Sequence, residues 1–499
     1  MATKRKSTKK SDAALASEAT AATSKLVAVW EDDPGDPASH PPLVPIQVPA
    51  PNQAAKPLPF KIGGGTPPAQ VYQPGTPNFR FWAAAAGLRR TADFWSKIVP
   101  NGTKWEVGNT LPVQLDSGVD LNAFYTRGGG GDSPGLHFFH QAEGGRTFFS
   151  GESPDVICHE MGHGVLDAIR PQLFDAQTIE AAAFHEGFAD CSAMLSALQV
   201  PSFRQIVLND THGKLNRASR LSRLAEQLGA AIRMIQPDAV DSDCLRNAAN
   251  SFFYQDPQGL PPSAPASSLS SEPHSFSRVF SGAFLDILAG ILLVINSNPT
   301  SDDVVQATHD AAKILVGGIL AAPVVPDYYS QVAANMITAG AAAPFNGKYT
   351  TVIKSCFVRR GILSLQGAAT VTEISAAPRR AALQGGGGKP EELHRAAISA
   401  AGYGLTKVAL TVHTASQPKR LGVSAASLTL GPLETRAAQS AAESYTEDLF
   451  QRGHVDAGKY ADSAAGLHHP GGFRTHMVVD EGGELILKRT KFDCGFRLP

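Results

Sequence analysis

In the stretch DVICHEMGHGVLDAI, residues 155–169, His159, Glu160 and His163 have the types and spacing for metal chemistry. Residues four apart lie on one face of an α-helix, so His159 and His163 can present two imidazoles to one cation, about as zinc requires. Glu160 lies beside them, within reach of a water in zinc's fourth position. Zinc makes such a water acidic and polarises a carbonyl, while a glutamate takes the proton and later passes it to a leaving amine. H-E-x-x-H also arises by chance, and a catalytic zinc needs a third protein ligand.

The segment HEGFAD, residues 185–190, supplies candidates. Glu186 and Asp190 are one turn apart on a helix otherwise rich in Ala, Phe, Met and Leu, so two acids inside it need a reason. If this helix packs on the first, Glu186 completes a His-His-Glu site with one position left for water. Asp190 could then accept the imidazole N–H of His159 and fix its tautomer. His185 is a rival ligand, one position off the face of Asp190.

These side chains need two helices in register. Ser153 reads as an N-cap, with Pro154 at N1, Asp155 in the first turn and Pro171 as the stop. The second helix spans about residues 176–200, ending before Pro201, and a third is expected over about 219–235. Further helical patterns cover 276–295, 301–320 and 349–363, and an amphipathic one precedes the motif at 78–99. Between them, residues 110–126, 136–141 and 146–151 carry strand signals.

The 499 residues are 43% hydrophobic and 18% charged, with a formal net charge of −1. That composition suits a globular protein and gives no global reason to expect nucleic acid or anionic membrane as partner. The most apolar run, residues 283–295, is interrupted by Asp286 and too short to span a bilayer, so a buried core helix is expected. The basic N-terminus lacks an apolar signal core. The expected location is therefore cytoplasmic, or outside the cell by a route without a Sec-type signal. Five widely spaced cysteines suggest no disulfide framework; Cys158 and Cys191 read as small core residues. Residues 1–59 are expected to be a proline-rich tail, disordered or an extended strap. Residues 364–389 read as a linker and 390–499 as a small α+β extension, for which targeting, substrate capture and an inhibitory flap are all compatible roles.

Taken together, the motifs resemble those of the thermolysin-like metallopeptidases, a gluzincin family whose signature is H-E-x-x-H followed by E-x-x-x-D on the next helix. LNAFY at 121–125 looks like the family's edge strand, LRNAAN at 245–250 like its L-R segment, and HSFSRVFSGAF at 274–284 like its late histidine helix. The likeness covers about residues 60–363 and implies an α+β, two-lobed domain, strand-rich then helical. It implies one catalytic zinc held by His159, His163 and Glu186, with Glu160 as base and His274 stabilising the oxyanion. Asn122 and the carbonyl of Ala123 would hold the leaving amine, and Arg246 a substrate carbonyl. Val156 and Leu245 would line the pocket after the cut, favouring a bulky apolar residue.

The chain also departs from the family. Phe174 is the nearest candidate where relatives keep a tyrosine hydroxyl, and the aspartate partner of the late histidine is missing, with Glu272 the nearby acid. Residues 196–207 lack the acids of the paired calcium site, so calcium is not expected. The implied function is a zinc-dependent endopeptidase acting on peptides or proteins. The alternatives are a zinc-binding scaffold with weak or no peptidase activity, or an exopeptidase, for which no amino-terminus anchor is evident.

Overall fold

The computed structural model of the chain describes residues 26–35, 41–49, 57–370, 392–415, 438–461 and 474–495. Strand-forming and helix-forming segments separate along the chain, giving an α+β architecture. Within the proline-rich stretch, β1 (Leu26–Val29) and β2 (Val44–Gln47) pair antiparallel. Pro45 is tolerated because each strand of a two-stranded ribbon has a free edge. Val27, Val29 and Trp30 are buried, so this part of residues 1–59 is a strap lying on the body.

Next come β3 (Phe60–Ile62), α1 (Pro77–Trp95), β4 (Leu111–Gln114), β5 (Ala123–Thr126), β6 (Gly135–Phe138), β7 (His140–Glu143) and β8 (Arg146–Phe149). β3, β4 and β6 run parallel, β5 is antiparallel to β6, and β7 pairs with β8 as a separate hairpin.

Two helices then form the centre. α2 (Pro154–Ile169) begins as the sequence implies: the Ser153 hydroxyl accepts from the Val156 N–H at 3.2 Å, behind Pro154. α3 (Ile179–Ala197) is capped by Thr178, which accepts from the Ala181 N–H. Every residue of α3 is buried, as expected of a helix enclosed on all sides. Gly162 sets how closely the two helices approach, since a Cβ there would lie 2.7 Å from Ser192 Cβ and 2.9 Å from Ala189 Cα. The Ser192 hydroxyl joins three elements, donating to the Cys158 carbonyl (3.0 Å) and accepting from Trp95 Nε1 (2.9 Å).

α4 (Pro201–Thr211), β9 (Arg223–Leu224), α5 (Glu226–Ile235) and β10 (Arg246–Asn247) follow. The helix expected over 219–235 starts only at Glu226, because tertiary contacts override its propensity. Ala225 adopts φ 52°, its N–H donates to Asp155, and the Gln227 N–H donates to Asp33 of the strap. The residues before it pair instead with β10. α6 (Pro273–Ile295), α7 (Ser301–Ala321), α8 (Tyr328–Ala341) and α9 (Thr350–Arg359) complete the helical part; the sequence reading gives no helix at α4 or at α8. Among the described residues α6 alone is long and apolar enough to cross a membrane, but most of it is buried in the fold.

The C-terminal part contains β11 (His394–Ser399), β12 (Ala409–Thr414), α10 (Ala438–Gln451), β13 (Val455–Asp456), β14 (His476–Glu481), β15 (Glu484–Arg489) and β16 (Lys491–Asp493). Its sheet has the order β11-β12-β15-β14-β13. Most of the expected linker lies outside the described residues, as do His468 and His469. The sequence LHHPGGFRTH suggests a solvated loop for these histidines and for His454 and His476, but His476 is buried in β14 against the Tyr445 ring. The segment is also no separate appendage. One residue after β15 the chain crosses over, and β16 joins β5 in the sheet of order β16-β5-β6-β4-β3.

Gly162→Ala is expected to force α2 and α3 apart and cost about 1–3 kcal/mol, the usual range for overpacking a core. Urea denaturation of the variant checks this; unchanged stability would mean the close approach is not needed.

Candidate metal centre

Packing α2 on α3 brings His159, His163 and Glu186 together as the sequence implied. His159 Nε2 is 3.3 Å, and His163 Nε2 3.6 Å, from Glu186 Oε2. A fourth group joins them from the far end of the chain: Cys494 Sγ lies 3.2 Å from His159 Nε2 and 3.9 Å from Glu186 Oε2. All four residues are buried, and one ligand atom from each lies within 4.8 Å of every other. Zinc–ligand bonds of about 2.0–2.3 Å in a tetrahedron give donor–donor edges of about 3.3–3.8 Å, so most of these spacings already suit one cation. His163 Nε2 is buried without a hydrogen-bond partner, and the buried Glu160 carboxylate faces the Cys494 thiol. A buried orphan nitrogen facing other donors is costly unless something occupies the space between them.

The outer groups fix ring orientations. Asp190 Oδ1 lies 3.1 Å from His159 Nδ1, which leaves Nε2 facing the cluster. The same oxygen accepts from Arg246 Nη2 at 2.9 Å. Burial alone would raise the Asp190 carboxyl, but Arg246 and His159 together hold it down at about 2. His185, the rival ligand, stands behind His163 with Nδ1 2.9 Å from its Nδ1, one ring donating and the other accepting. It orients His163 and does not join the cluster.

His274, at the start of α6, has Nε2 3.3 Å from Glu186 Oε2. Glu272 is the acid that meets this ring, with one oxygen 2.7 Å from His274 Nδ1 and the other accepting from the Ser275 N–H as helix cap. Burial opposes a charge on His274, but Glu186 and Glu272 outweigh it and push its pKa up to about 9. Burial pushes the Glu160 carboxyl up to about 8 against the pull of His159.

Among the expected peptide-binding residues, Asn122 is buried with Nδ2 bonded to Asp120 and Oδ1 unpartnered. Arg246 is buried, its Nε likewise unpartnered. Val156 and Leu245 do line one cavity, with Leu224, Leu228 and Ala193, and it reaches Glu160 and Cys494. The carbonyl of Ala123 is already taken, accepting from the Cys494 N–H at 3.0 Å. Phe174 is buried and packs edge-on against Tyr125 and Phe492, so it brings no hydroxyl to the cluster.

Cys494 and Phe492 were missed by the sequence reading. Cys494 lies 308 residues beyond Glu186, and no local spacing ties it to the motifs. The available signals were weak ones: an unpaired cysteine after the short strand pattern RTKF.

Replacing Asp190 by Ala releases the His159 ring and strands Arg246. Its zinc affinity is expected to fall about 10–100-fold, measured by competition with a chromogenic chelator. Unchanged affinity would remove Asp190 from the centre. No protein-family model matches the chain, and no curated protein sequence is significantly similar to it.

Proposed function

We propose that the chain is a zinc-dependent endopeptidase with a thermolysin-like, two-lobed catalytic unit over about residues 60–363. The observation that carries this reading is Glu160: fully buried, next to the His159–His163–Glu186 cluster, with its carboxylate against the Cys494 thiol. A site that only holds the fold together has no use for such a carboxylate. A zinc ion bound there would acidify a water and polarise the scissile carbonyl. Glu160 takes the proton from the attacking water and delivers it to the leaving nitrogen. His274, held by Glu272, donates to the developing oxyanion. The free Nε of Arg246 and Oδ1 of Asn122 are available to the peptide backbone, whereas the Ala123 carbonyl, the expected acceptor of the leaving N–H, is held by the Cys494 N–H.

A second reading has its own observation. Four protein donors including a thiolate are the composition of a structural zinc site, with no position left for water. On that reading the chain is a zinc-binding scaffold with weak or no peptidase activity.

Bound zinc and peptide hydrolysis, measured together, separate the two. Both are read for the wild type, Cys494→Ser and the latter combined with Glu160→Ala. The peptidase reading expects zinc in all three, hydrolysis by Cys494→Ser, and a loss of about 10²–10⁴-fold when Glu160 is removed. Zinc in all three with no cleavage of diverse peptides favours the scaffold; absence of zinc refutes both.

The apolar cavity at Val156 and Leu245 leads to a specificity expectation. Peptides with Leu or Phe after the cut should be cleaved faster than those with Asp or Lys, compared by kcat/KM on one peptide frame. Preference for the charged residues contradicts the assignment of this cavity.

A further inference from the structure

We infer that the C-terminal strand is a built-in occupant of the substrate cleft, with Cys494 as a displaceable fourth ligand to the metal, so that the chain folds as a latent enzyme. The inference rests on the peptidase reading above and concerns regulation of the same centre.

The first observation is where β16 sits. Without it β5 would be the outer strand of its sheet, an unpaired edge beside the cluster, and an extended peptide binds such an edge by main-chain pairing. β16 takes that place antiparallel, with Lys491, Phe492 and Asp493 opposite Thr126, Tyr125 and Phe124. The pairing continues one residue further, where the Cys494 N–H donates to the Ala123 carbonyl. The second observation is what the strand carries. The Phe492 ring stacks on the ring of His163 (centroids 5.1 Å apart, 10° between planes) and on His185 (3.9 Å, 19°). Two residues on, the Cys494 sulfur completes the donor set with the two histidines and Glu186. A peptide substrate therefore meets a filled edge, a covered histidine and a sulfur at the position where water must enter.

The seating is local and reversible in kind. It includes a three-residue strand, an ion pair from Lys491 to Asp132 at 3.2 Å, Lys491 over the Phe124 ring, the Thr126 hydroxyl donating to the Thr490 carbonyl, the Phe492 ring packed on Phe174 and Arg489, and one sulfur. The parts needed for hydrolysis stay in place beneath it. Glu160 stays beside the cluster with its carboxylate facing the Cys494 thiol, and His274 keeps its bond to Glu272. A purely structural four-donor site would leave these groups without purpose. Moving β16 off β5 breaks no covalent bond. It exchanges the metal–sulfur contact for water and returns the β5 edge to an incoming peptide.

The test uses the full chain loaded with cobalt(II), a spectroscopic stand-in for zinc. Wild type is expected to show thiolate-to-cobalt absorption in the near ultraviolet; Cys494→Ser should lose it while keeping the visible bands of bound cobalt. In parallel, zinc-loaded Cys494→Ser should cleave a Leu-containing peptide about tenfold faster than wild type or more, each tenfold corresponding to about 1.4 kcal/mol of lost competition. Lys491→Glu, which removes the ion pair without touching the donors, should weaken the thiolate absorption and raise hydrolysis in the same direction. It serves if the serine variant does not fold. Bound cobalt without thiolate absorption, in a wild type that cleaves peptides, overturns the latch and leaves the peptidase reading standing. Thiolate absorption with no hydrolysis by any of the three proteins overturns both, since nothing is then being held back.

Discussion

The approach of α2 to α3 is the constraint on which the centre depends. His159 and His163 share a helix face by spacing alone, but Glu186 reaches them only because Gly162 lets the helices meet over Ala189 and Ser192. The contact is short, enclosed and tied to α1 through Ser192 and Trp95. Burying the whole of α3 supplies the apolar contact that offsets holding several charged groups out of water.

Those charges are arranged as chains, each ending on a group of opposite sign. Arg246 neutralises Asp190, which orients His159; Glu272 orients His274, which faces Glu186. A third chain links the centre to the strand beside it. Asp167, on the last turn of α2, is fully buried and accepts from the Tyr125 hydroxyl (2.6 Å) and from Arg127 Nε (2.9 Å). It therefore fixes β5 relative to the helix that carries both histidines. A segment paired on β5 is brought into register with the cluster by the same contacts, which is why a sulfur near the end of β16 arrives at the donors.

The sequence made the local part of this legible. The cap at Ser153, the i,i+4 spacing of the histidines and the two acids inside an apolar helix all act over one or two turns, where spacing maps directly onto geometry. Glu272 could be noticed as a nearby acid, but its bond to His274 needed the turn entering α6. The delayed start of α5 was hidden because its cause is the distant strap residue Asp33 together with Asp155. Cys494 was the most distant case of all. Its role depends on a parallel and antiparallel sheet bringing β15 to the body and on a single residue, Thr490, turning the chain into β16. Reading the C-terminal part as a separate unit followed from composition, which carries no record of long-range pairing.

The central claim is that His159, His163, Glu186 and Cys494 converge on one cation in the resting chain. X-ray absorption at the zinc edge of the zinc-loaded full-length protein tests it most directly. The account predicts one sulfur at about 2.3 Å and three nitrogen or oxygen neighbours at about 2.0–2.2 Å. A shell of light atoms alone would contradict the part assigned to Cys494, and a protein that takes up no zinc would contradict the metal centre itself.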